Sequence, residues 1–228
     1  MPGRLIRFVL VLFLLFAGYV WFVNQESRNM TTRQKILKAV YPVFAGLQHV
    51  FKGQVRAHSP GEMKHPPVSL YSLALKMNDG TEKSMSHWKG KKILLVNTAS
   101  DCGYTAQYAN LQTLSERYPE KLVVIGFPAN DFKEQEKGDD ASIASFCKIN
   151  FGVRFPLAAK SSVIKGASQN PVFHWLSDAG QNGWNNRAPV WNFMKYLVDE
   201  EGRLIGVYEP AVDPMGSEVK EAVERKEK

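Results

Sequence analysis

Two uninterrupted apolar runs constrain this chain most. Residues 93–98 (ILLVNT) and 122–127 (LVVIGF) are each one strand long, and neither alternates apolar with polar residues. A strand without alternation is buried on both faces, so these two belong at the centre of a sheet with helices packed over it. The flanking segments fit that layout. Residues 104–118 have helical spacing, with Tyr108, Leu111 and Leu114 on one face, and residues 141–151 read as a second helix. Residues 195–199 and 204–208, separated by Glu200, Glu201 and Gly202, read as a hairpin. Strand, helix, strand, helix and hairpin predict an α/β domain with a central mixed sheet flanked by helices.

The domain is expected over residues 68–228, behind two other segments. Residues 8–23 form an unbroken apolar run preceded by Arg4 and Arg7. Extended to Leu5, with Arg7 snorkelling, the run reaches ~28 Å as a helix, close to the roughly 30 Å of a hydrocarbon core. No small-x-small cleavage pattern follows it, and Tyr19 and Trp21 suit a membrane interface. Residues 1–23 therefore read as an uncleaved anchor in preference to a cleaved signal. Arg4 and Arg7 would stay in the cytoplasm, and the remainder would be exported.

Residues 24–67 read as an amphipathic helix and a linker. Thr31 and Gln34 have capping-box spacing, and Ile36, Leu37, Val40, Val43, Phe44, Leu47, Val50 and Phe51 recur at helical spacing. Arg33, Lys35, Lys38 and Lys52 occupy other positions. Such a helix either lies on an anionic bilayer or packs on the domain or a symmetry mate. Pro42 is expected to kink it. Residues 52–67, rich in Gly, Pro, His and charge, read as linker.

The formal net charge is +7, but the basic residues are scattered and form no stripe interleaved with aromatics, which argues against nucleic acid. The five histidines are isolated and the two cysteines form no Cys-x-x-Cys pair, so neither a metal nor another cofactor is expected.

Cys102 follows the first buried run and precedes a helical pattern. Reactive groups of open α/β sheets gather at such strand ends, and a helix N-terminus favours a thiolate. Asp101 opposes this: a carboxylate ~7 Å away disfavours the thiolate by ~0.6 kcal/mol in water-like dielectric. An exposed helix end contributes about 0.3–1 kcal/mol, so the two roughly cancel. Donors from other segments are needed. On position alone, a small buried hydrophobe is as good a reading of Cys102 as a reactive thiol.

Four stretches break the tie: Asn97-Thr98-Ala99-Ser100-Asp101-Cys102-Gly103-Tyr104-Thr105, Gly126-Phe127-Pro128-Ala129-Asn130-Asp131-Phe132, Gln135-Glu136-Lys137-Gly138 and Trp191-Asn192-Phe193. In this order and spacing, from about Ser69 to the C-terminus, the chain resembles the glutathione peroxidase family. The resemblance implies a thioredoxin-like fold, with Cys102 at the peroxidatic position and Gln135, Trp191 and Asn192 at the other three tetrad positions. Their amide and indole N–H groups are neutral donors suited to a thiolate and to charge developing on a peroxide oxygen. Cys147 matches the resolving position of the cysteine-type members, which implies recycling by a thioredoxin-like protein, with glutathione as the alternative reductant. The substrate class implied is hydrogen peroxide and organic or lipid hydroperoxides.

The chain departs from the family pattern at Asp101, Ala106, Ala129 and Lys137. Ala129 stands where many members carry a Cys, which leaves Cys147 as the single candidate resolver. No long segment separates Pro171 from Trp191, so a monomer is expected. The competing reading is a membrane-anchored disulfide exchanger or chaperone, which would ordinarily carry Cys-x-x-Cys.

Overall fold

The computed structural model describes residues 2–48, 54–57 and 65–225. Its helices are α1 (Pro2–Val23), α2 (Thr32–Gln48), α3 (Gln107–Arg117), α4 (Asp140–Phe151), α5 (Pro171–Leu176), α6 (Ala179–Asn182) and α7 (Ser217–Glu224). Its strands are β1 (Val55–Ala57), β2 (Ala74–Lys76), β3 (Glu82–Ser84), β4 (Lys92–Thr98), β5 (Leu122–Pro128), β6 (Lys195–Val198) and β7 (Leu204–Tyr208).

Five strands make one sheet in the order β1-β7-β6-β4-β5. β4 and β5 run parallel, and the remaining pairs are antiparallel. β4 alternates between two cores. Leu94 and Val96 face Tyr108, Leu111, Leu114 and Ile143 of α3 and α4. Ile93 and Leu95 face Phe173, Trp175 and Leu176 of α5. Burial on both faces explains why the run carries no alternation. Gly126 on β5 is needed for a close approach: a Cβ there would lie 2.7 Å from Leu157. Without one, segment 156–158 bonds to both backbone groups of Gly126.

β2, β3, α5, α6 and α7 have no counterpart in the sequence reading, and three further features differ from it. β4 starts at Lys92, which a pattern of apolar residues leaves out. Lys92 is fully buried because its ammonium donates to the carbonyls of Ala222, Val223 and Arg225 and so satisfies the C-terminus of α7. Residues 55–57, within the stretch read as linker, form the edge strand β1 against β7. Their side chains are all exposed, so no buried periodicity marks them. The first domain helix begins at Gln107, three residues later than its spacing suggests.

α1 is a helix from Pro2, and its Arg4–Val23 stretch has a mean hydropathy of 2.4 with no part buried. It is long and apolar enough to cross a membrane. α2 passes through Pro42 and folds back along α1: Tyr19 Oη donates to Ala39 O, and Asn24 Nδ2 donates to both Val20 O and Lys35 O. The capping box is formed, with Thr31 N–H on Gln34 Oε1 and Gln34 N–H on Thr31 Oγ1. Of the two placements open from the sequence, packing on the domain is the one observed. Ala39 and Tyr41 are buried, Gln34 Nε2 donates to Ser100 O, and the Phe44 and Tyr104 rings meet. Ile36, Val43 and Phe44 stay exposed. Val50, Phe51 and Lys52 lie outside the described residues.

Candidate active site

The site forms where β4 and β5 end. Residues 99–106 leave β4 as a series of turns fixed by Thr105. Its Oγ1 accepts the Cys102 N–H at 3.0 Å and donates to Ala99 O at 2.8 Å. This turn delays the start of α3 and keeps Cys102 off the helix terminus itself. The helix field is therefore weaker at the sulfur than the sequence suggests, since it falls off within the first turn. The Tyr104 N–H instead points at Sγ, 3.5 Å away.

Asn97, buried near the end of β4, positions the next part. Its side chain donates to Trp191 O at 3.0 Å and accepts Met194 N–H at 3.0 Å, while its carbonyl accepts Phe193 N–H at 2.6 Å. Residues 191–194 are thereby clamped against β4. Phe193 has φ +66°, a left-handed conformation that non-glycine residues rarely adopt. Lys133 and Glu134, just before Gln135, share it at φ +52° and +51°. Such residues persist only where surrounding structure over-determines them, and they cluster at functional sites.

These constraints bring Cys102, Trp191 and Asn192 together. Trp191 and Asn192 stand beside the Cys102 thiol, near enough to hold its pKa down. Asn192 Nδ2 also donates to Gln135 Oε1 at 2.9 Å, and Asn192 Oδ1 is buried without a partner. Gln135 is thus held by Asn192. Trp191 packs on Phe132 and lies under the Lys133 ammonium.

Cys102 is 1% exposed. Burial raises its pKa above the usual thiol value. The Tyr104 N–H, Trp191, Asn192 and the Arg33 guanidinium each pull it back down. Residues Met30, Gln34, Leu37 and Lys38 of the N-terminal segment roof the small space over Cys102. Cys147 on α4 is fully buried, and its thiol is pushed up to about 12 by burial, with Tyr108 beside it opposing. Both cysteines are free and belong to the same apolar cluster. A larger cleft of about 660 Å³ opens between segment 28–34, the Gln135 loop and α4.

The glutathione peroxidase family model matches residues 70–177. A glutathione peroxidase homolog BsaA of Staphylococcus epidermidis is 39% identical over 158 residues, covering 69% of this chain and 98% of the relative. The chain belongs to the glutathione peroxidase family. It is a thiol peroxidase, an enzyme that takes a hydroperoxide and a thiol reductant. A glutathione peroxidase-like peroxiredoxin of Schizosaccharomyces pombe is 41% identical over 146 residues, covering 64% of this chain and 91% of the relative. Among solved structures, the apo form of Trgpx aligns with a TM-score of 0.52 at 32% identity, covering 69% of this chain and 97% of that one. A DsbF homologue from Corynebacterium diphtheriae aligns at 0.51 with 16% identity, covering 74% and 88%, and shares the thioredoxin-like fold.

One residue of this candidate site escaped the sequence reading. Glu136 is 1% exposed, accepts from Ser100 Oγ at 3.1 Å, and titrates near pH 7 because burial disfavours its carboxylate. A glutamate raised in the folded state binds its proton more tightly there than in the unfolded chain. Its contribution to stability therefore declines as pH rises from about 4.3 to about 7. Glu136→Gln removes that decline. Thermal melts at pH 5 and pH 8 should show the variant gaining on the parent at pH 8, by about 3 kcal/mol at most.

Proposed function

We propose that this glutathione peroxidase family member uses Cys102 as the peroxidatic thiol and Cys147 as the resolving thiol, and that a thioredoxin-type dithiol recycles it. The observation that carries the reading is the gathering of Cys102, Trp191, Asn192 and Gln135 at the end of β4, where Asn97 clamps segment 191–194, Asn192 Nδ2 donates to Gln135 Oε1 and the Tyr104 N–H points at the Cys102 sulfur. The Cys102 sulfur attacks one peroxide oxygen. An S–O bond forms as the O–O bond breaks, and the electron pair leaves with the second oxygen. That oxygen takes up the proton the thiol gave up and departs as water or an alcohol. Trp191 and Asn192 are poised to stabilise the thiolate and the charge developing on oxygen, and Gln135 orients the Asn192 amide. Cys147 sulfur then displaces water from the sulfenic acid to form a disulfide, which the external dithiol reduces by exchange.

Resolution needs local opening. Cys147 is inside α4, fully buried, and disfavoured as a thiolate where it stands. Loosening of α4 relieves both obstacles. Hydrogen peroxide and organic or lipid hydroperoxides are the proposed substrates. Monomer is the proposed state.

We further read α1 as an uncleaved membrane anchor with Arg4 and Arg7 on the cytoplasmic side and the domain exported. Its packing along α2 sets the enzyme close to the bilayer surface. The rival reading, a disulfide exchanger, shares the fold but lacks a Cys-x-x-Cys pair in this chain. Peroxide consumption by the purified full-length chain separates the two. Turnover supported by thioredoxin and its reductase is expected, with slower turnover on glutathione. Disulfide exchange without peroxide consumption would refute the proposal.

A further inference from the structure

Asp101 directly precedes Cys102, the thiol on which the proposed function rests. Its carboxylate is met from outside the family-matched segment. Arg33, on α2, pairs through Nη1 with Asp101 Oδ2 and donates to Asp101 O at 3.1 Å. The pair is seated by its neighbours. Gln34 Nε2 bonds Ser100 O at 3.0 Å, one residue earlier in the same turn. The strand of chain leading to α2 is pinned to α4: Arg28 N–H donates to Asn150 Oδ1 and Asn150 Nδ2 to Arg28 O, both at 3.0 Å. The turn carrying Cys102 and the helix carrying Cys147 are therefore bridged by one N-terminal element.

We propose that Arg33 is a positioning residue of the peroxidatic site. It neutralises and immobilises the Asp101 carboxylate, so that α2 is a working part of the active site as well as a spacer from the anchor. Both side chains of the pair are partly solvated, so water screens the field. In water-like dielectric a unit charge at about 7 Å would change thiolate occupancy about threefold. Other charged groups facing the site are Lys38 from α2, Lys133 beside Trp191, and Glu136 bonded to Ser100.

The test uses full-length chain in detergent, on a Cys147→Ser background that leaves Cys102 as its only thiol. Iodoacetamide alkylation of Cys102 is followed against pH. Arg33→Gln is expected to slow alkylation at pH 7 about threefold and to move the profile to higher pH. Arg33→Lys should retain most of the parent rate. Adding Asp101→Asn to Arg33→Gln should restore the profile, because the charge being countered is gone. Coincident profiles for Arg33→Gln and the parent would overturn the proposal. So would a double variant as slow as Arg33→Gln, since the loss would then come from α2 detaching and not from charge. Failure of the Cys102 assignment would appear separately, as peroxide turnover persisting in Cys102→Ser.

Discussion

Cys102→Ser is expected to lower peroxide reduction by at least ~10³-fold, to the level of uncatalysed thiol oxidation. A serine hydroxyl keeps its proton near neutral pH and is a weak nucleophile unless a base activates it. No histidine adjoins residue 102 in sequence, and the indole of Trp191 and the amide of Asn192 beside the thiol are neutral groups too weakly basic to take its proton. The fold should survive, because the exchange is nearly isosteric and the turn is held by Thr105 through backbone groups of Cys102 and Ala99. Steady-state peroxide consumption with excess reductant, alongside an unchanged thermal melt, checks this. Because burial raises the Cys102 thiol, the parent's reactivity towards a small alkylating agent should climb with pH through the alkaline range, with no plateau at neutrality.

Cys147→Ser is expected to separate the half-reactions. Thioredoxin-supported turnover should drop by at least ~10²-fold, since no second thiol is available to convert the sulfenic acid into the disulfide that a dithiol attacks. The first stoichiometric reduction of peroxide should persist at nearly the parent rate, because Cys147 donates nothing to the Cys102 sulfur. Rapid-mixing measurement of a single turnover, followed by the steady state, distinguishes the two phases. Loss of both phases would mean that Cys147 supports the fold. Retention of both would mean that another reductant reaches Cys102 directly.

The sequence was most legible where burial imposes period and chemistry imposes residue type. The runs at 93–98 and 122–127 match β4 and β5 to within one residue at each end, because strands covered on both faces leave no polar positions. Lys92 was missed for the same reason: its stem is packed, but its charge finds three carbonyls far away in sequence. The start of α3 was misplaced because Thr105 uses its hydroxyl to hold a turn, which hydrophobic spacing does not register. β1 was invisible because an exposed three-residue edge strand depends on the partner's backbone, not its own side chains.

The site shows the same division. Cys102, Gln135, Trp191 and Asn192 could be named from motifs, yet the bond from Asn192 to Gln135 is a matter of geometry. Glu136 stood inside a quoted motif, and only its burial sets its titration near neutrality. The Arg33–Asp101 pair spans 68 positions, so no local pattern announces it. For α2, amphipathicity established a helix with an apolar face but left open what covers that face. The buried Ala39 and Tyr41 and the bond from Gln34 to Ser100 seat α2 on the domain, while Ile36, Val43 and Phe44 of the face read from the sequence stay exposed.

The decisive question is which atom peroxide oxidises. Full-length Cys147→Ser chain, treated with one equivalent of hydroperoxide and then with a sulfenic-acid trap, can be digested and mapped by mass spectrometry. One trapped sulfenic acid per chain is expected, at Cys102, with one equivalent of water or alcohol released. Peroxide consumed with Cys102 left as an unmodified thiol would contradict it.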